Sequence, residues 1–179
     1  MNRRTVLSLA ATATAFQVVS STLITKASGE FESGGLGLTT SDWEVMFGPG
    51  EAGQTYYSFA LEDGAYNVGG DGMNGPIHFI ERTWTDPTGM PIEMAEAEAQ
   101  MLIPADAKLL ERYNAESARI LYGTQIDRYE SKSLGALFAG EIRKLTKFFA
   151  VVIEKVPATD VFGFNASRMV IVVGEEAAG

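Results

Sequence analysis

Two runs in the last third of the chain, KFFAVVIEKV at residues 147–156 and RMVIVVG at 168–174, are so rich in β-branched side chains that they belong in the middle of a sheet. Further strand-like runs lie upstream, at Thr55–Leu61, Pro76–Trp84, Leu109–Tyr113 and Ile120–Tyr129. Asp63-Gly64 between two such runs signals a hairpin, and NAES at 114–117 reads as a turn. Strands linked this closely pair antiparallel.

Helical patterns interrupt the strands. Thr39 with Asp42 forms a capping box, with Leu38 before it able to staple onto Trp43, and Gly48-Pro49 stops this first helix. A second helix runs from Pro91 to Leu102, with Ile92, Ala95, Ala99 and Leu102 on one face, Glu93 and Glu96 near its start, and Pro104 after its end. Ser131 or Ser133 caps a third, carrying Leu134, Leu137 and Phe138. The expectation is an α+β domain over 38–174: an antiparallel sheet of about seven strands with three short helices on one face. Helix-then-strands layouts at 38–86 and 90–174 suggest two degenerate repeats, and 175–179 reads as a tail.

Residues 1–27 have the three-part layout of an export signal: Arg3 and Arg4, an uncharged stretch from Val6 to Ile24, then Lys26 among small residues. Arg3-Arg4-Thr5-Val6-Leu7 resembles a twin-arginine motif, with general-pathway export as the alternative. Cleavage after Ala27 would release a mature protein with no stable membrane anchor into the periplasm or medium; a retained anchor helix is the other outcome. Glycine-rich residues 28–37 read as a flexible linker.

Charge narrows the partners. The net charge is −9, and residues 28–107 hold 14 acids against one base, Arg82, whereas 108–179 hold 9 acids and 10 bases. Such an excess repels nucleic acid and anionic lipid headgroups. It leaves open a cationic protein, an envelope polymer or a divalent ion. With no cysteine, disulfides, thiolate metal sites and cysteine nucleophiles are all excluded.

Motifs with chemical meaning fall short one by one. GPGEAGQT at 48–55 approximates a phosphate-binding loop, but Gln54 stands where lysine is needed and the order is helix-then-strand rather than strand-then-helix, so no nucleotide is expected. GGDGMNG offers Asp71 and Asn74 without the late glutamate of a calcium loop. His78 is the sole histidine, which argues against a transition-metal site and a Ser-His-acid triad alike. No metal or other cofactor is expected. Paired carboxylates, with Glu81, Asp86 and Glu93 as candidates, could hydrolyse a glycoside in a suitable cleft. Exposed aromatics suit a binding surface better, and Tyr56, Tyr66 and Trp84 are the candidate contacts.

The segment TTSDWEVMFGPG followed by an antiparallel meander resembles the β-lactamase-inhibitor-protein-like fold shared with small exported proteins of the SmpA/OmlA type. The similarity covers residues 36–84, with 90–173 as a second copy, and this chain lacks the lipid-bearing cysteine of the lipoprotein members. The resemblance implies a non-catalytic module that binds a protein or envelope component. The alternative is a small exported hydrolase using paired carboxylates.

Overall fold

The computed structural model describes residues 24–25, 31–70, 74–117, 120–139, 145–158 and 163–175. Arg3 and Arg4 of the signal motif, the expected cleavage point after Ala27, Asp71 and the last four residues lie outside them. Eleven strands and three helices are described: β1 (Ile24–Thr25), β2 (Glu32–Ser33), α1 (Thr40–Phe47), β3 (Glu51–Ala52), β4 (Tyr57–Leu61), β5 (Gly64–Gly70) and β6 (Ile77–Trp84) come first. Then follow β7 (Met90–Pro91), α2 (Ile92–Leu102), β8 (Lys108–Ser117), β9 (Ile120–Glu130), α3 (Lys132–Phe138), β10 (Leu145–Pro157) and β11 (Phe164–Glu175).

The chain is mixed α+β. Nine strands make one antiparallel sheet in the order β3-β4-β5-β6-β11-β10-β9-β8, with β7 added beside β11; β1 and β2 pair separately. The two β-branched runs take central places as β10 and β11. Register puts Phe59, Tyr66, Arg82, Met169, Ile153 and Gln125 in one cross-strand row, and Val68, Ile80, Ile171, Val151, Asp127 and Arg112 in the next. These rows share one face, apolar on β4 to β10 except for Arg82 of β6, and polar on β9 and β8. Trp43 of α1, Ala95, Ala99 and Leu102 of α2, and Leu134 and Phe138 of α3 join its apolar members in a single core.

Local signals place the helix ends. Thr39 accepts the Asp42 amide while the Asp42 carboxylate accepts the Thr39 amide, completing the box, and Gly48 closes α1 at a φ of 84°. Ser131 caps α3 by accepting from the Leu134 amide. Around Trp43 lie Phe47, Phe59 and Tyr66, with ring centroids 4.9, 5.6 and 5.3 Å away.

Several expectations need correction. The sheet exceeds seven strands because β3 and β7, two residues each, are too short to show periodicity. NAES is no turn: Asn114 pairs with Gln125 and Ala115 with Thr124, so β8 continues to Ser117 under cross-strand pairing that overrides turn propensity. Glu175 begins no tail, since it pairs with Leu145.

The glycine-rich stretch before α1 is likewise no linker where it is described. Phe31 and Leu36 are in the core, the Leu36 amide donates to Leu102 O and the Gly37 amide to Ile77 O. Its glycines serve close approach: a Cβ on Gly34 would sit 1.9 Å from Met101 O. In a flexible linker Gly34→Ala would be neutral or slightly stabilising. Here it is expected to destabilise by more than about 1 kcal/mol, measured as a lowered urea midpoint at unchanged slope.

Candidate functional site

Arg82, the one base among the acids of 28–107, is on the core side of β6 and only 2 % exposed. A buried guanidinium must find acceptors. Its Nε donates to Glu98 Oε1 of α2 at 2.8 Å, its Nη2 to Asp63 Oδ1 of the β4–β5 turn at 2.6 Å and its Nη1 to Thr83 O at 2.6 Å. The rings of Tyr66 and Trp84 each lie 5.2 Å from the guanidinium carbon. Burial opposes the charge, but Glu98 and Asp63 outweigh it and hold the Arg82 pKa above its ordinary value. Gly64 makes room for this group: with φ at 154°, a Cβ there would meet Thr83 O at 1.9 Å and Arg82 Nη1 at 2.5 Å.

Beside this cluster is a pocket of about 320 Å³. Trp84, Met90, Pro91 and Met94 supply apolar walls, and Asp63 and Asp86 supply carboxylates. The strand end of β6, the β7 segment and the first turn of α2 thus converge on one spot. Asp86 accepts from the Thr88 hydroxyl and amide at 2.7 and 2.8 Å, and these bonds hold its carboxyl below the ordinary range. It therefore stays ionised beside the pocket.

On the other side of α2 a second polar group forms. Arg112 of β8 is bidentate to Asp127 at 2.7 and 2.6 Å and reaches Glu96 of α2 at 3.1 Å; Gln125 donates to Glu96 and Gln100 to the Tyr129 hydroxyl. Residues 96, 98 and 100 thereby anchor α2 to both halves of the sheet.

The three candidate aromatics do not form one exposed patch. Tyr56 precedes β4 and is 46 % exposed. Tyr66 is buried, its hydroxyl donating to Glu98. Trp84 is half-buried, lines the pocket and stacks on Arg82. The candidate acids are equally dispersed: Glu81 binds Arg168 and Asn67, Asp86 lines the pocket, and Glu93 is exposed at the start of α2. Glu98, Met90 and Met94 went unnoticed in the sequence. The one available signal was the solitary Arg82, since a lone base among many acids has many partners within reach.

No known protein family matches this chain, and no curated protein or solved structure is significantly similar to it.

Burial, with the adjacent Glu98 carboxylate, raises the Tyr66 phenol above its ordinary value. An unfolded tyrosine ionises near about pH 10. Above that pH the unfolded chain sheds this proton while the folded one keeps it, so stability falls as pH rises. Urea unfolding across the alkaline range is expected to show a shallower loss for Tyr66→Phe than for the unaltered protein; equal slopes would place the phenol in an ordinary environment.

Proposed function

We propose that the chain is an exported, non-enzymatic interaction module whose acidic half captures a cationic segment of a partner protein at the Trp84 pocket. The observation that carries this reading is the composition of that pocket: apolar walls for an aliphatic stem, with Asp63 and Asp86 for the charged end. The Asp63 side chain is more than half exposed, although it also binds Arg82. Because Arg82 is buried among acids, the sole base of residues 28–107 presents no competing surface cation. A carboxyl held ionised, as Asp86 is, suits cation binding and lacks the proton a general acid must donate. The Arg3-Arg4 leader motif supports export, and the layout likeness of 36–84 to the β-lactamase-inhibitor-protein-like fold supports binding rather than catalysis. The same reading treats 38–86 and 90–174 as two degenerate copies of one unit, each with a helix leading into antiparallel strands and the second with α3 inserted between β9 and β10, meeting where β6 pairs with β11.

Two measurements test this. Cell fractionation should find the tagged protein outside the cytoplasmic membrane, and Arg3→Lys with Arg4→Lys should retain it inside; export unaffected by both changes would remove the twin-arginine route. Pull-down from envelope extract should recover a basic protein whose retention falls with salt and drops about tenfold in Asp86→Asn or Trp84→Ala, the loss expected from about 1.4 kcal/mol. Recovery of no partner, together with cleavage of glycoside or ester probes, would favour the carboxylate hydrolase instead.

A further inference from the structure

The two carboxylates of the Trp84 pocket are each half committed already. Asp63 Oδ1 accepts from Arg82 Nη2, and Asp86 Oδ1 accepts both the amide and the hydroxyl of Thr88. Among the described residues nothing donates to the Oδ2 atom of either. The backbone sets the two side by side: Gly64 pairs with Trp84 and the Thr85 amide donates to Asp63 O, so Asp86 directly follows the residue opposite Asp63. The pocket therefore offers two single oxygens from two different side chains.

That arrangement distinguishes the two basic side chains. A guanidinium binds a carboxylate best as a fork, with parallel N–H donors on both oxygens of one group. At Asp86 the two Thr88 bonds occupy Oδ1, and at Asp63 a fork would press a second guanidinium against that of Arg82. Trp84 adds a further obstacle, because Arg82 already lies over its ring at 5.2 Å and closes one face to the stacking that arginine favours. An ammonium is a compact charge with three rotatable donors, able to take one oxygen from each carboxylate and a water. Behind it an unbranched stem can run along Trp84, Met90 and Met94, whose flexible thioethers adapt to it. Arg82 offsets only one of the three carboxylates Glu98, Asp63 and Asp86, so an added cation enters a site of negative sign. We propose that the pocket selects lysine over arginine in the partner's segment, through the Oδ2 atoms of Asp63 and Asp86; this rests on the cation-binding reading given above. The occupant is a protein segment rather than a free amine, because residues 28–107 hold 14 acids with their one base buried, a field that favours several cations at once.

The two tryptophans supply the readout. Trp43 Nε1 donates to Gly35 O, whereas Trp84 Nε1 has no partner among the described residues, so the two indole N–H signals differ in NMR and that of Trp84 should move on titration. The probes are capped peptides carrying several lysines, the same number of arginines, or the same number of norleucines. The lysine peptide should bind about tenfold more tightly than the arginine peptide, the factor expected for one charge-assisted hydrogen bond, and the norleucine peptide most weakly. Asp86→Asn, at an exposed position, should erase most of that preference, and Thr88→Val, which removes one donor from Asp86 Oδ1, should narrow it by improving arginine binding. Arginine binding as tightly as lysine, or a preference undiminished in Asp86→Asn, would overturn the selectivity while leaving cation capture intact. Neither cationic peptide binding better than norleucine would overturn the cation-binding reading and the selectivity together. Butylamine binding as tightly as the lysine peptide would overturn the assignment to a protein segment.

Discussion

One buried cation organises the half of the molecule that carries the pocket. Arg82 emerges from β6 into the core and draws in Glu98 from α2 and Asp63 from the β4–β5 turn, while Tyr66 and Trp84 close over its faces. Burying a charge is costly unless its partners are well placed, so α2 has little freedom in where it lies along the sheet. The pocket inherits that constraint. Its Trp84 wall rests on the guanidinium, its Met94 wall belongs to the helix that Glu98 ties down, and its Asp63 carboxylate is one of the arginine's own ligands.

A second tether prevents α2 from pivoting about the first. Arg112 and Gln125 hold Glu96, and Gln100 holds Tyr129, which stacks on Phe149 at 5.2 Å. The inner face of the sheet thus grades from aromatic at β4 and β5, through aliphatic at β10 and β11, to polar at β9 and β8. Between the two tethers α2 presents Ala95 and Ala99 to the core, small enough to let the helix lie close. The outer face has a different character, with Arg168 bridging Glu81 and Glu154, and Arg128 reaching Glu111.

What could be read from one dimension follows the range of the forces involved. The α1 cap, the Ser131 cap and the central place of the β-branched runs depend on neighbours within a few residues or on composition, and they were legible. NAES was misread because its pairing with 124–125 is decided across the hairpin rather than within the tetrapeptide. Residues 31–37 were misread because glycine has two uses, freedom and close approach, and only the position of Met101 O shows which applies at Gly34. The pocket was half legible: Trp84 stood out as an aromatic and Arg82 as a solitary base, but their union through Glu98 and Asp63 spans residues 63 to 98 and three elements.

The most direct measurement is a double-mutant cycle on Arg82 and Glu98 read by urea unfolding. If the buried pair organises this region, Arg82→Met or Glu98→Leu alone should cost about 3 to 5 kcal/mol, and the double variant much less than their sum, because each single change strands the other charge. Effects that add to within about 0.5 kcal/mol would contradict the account.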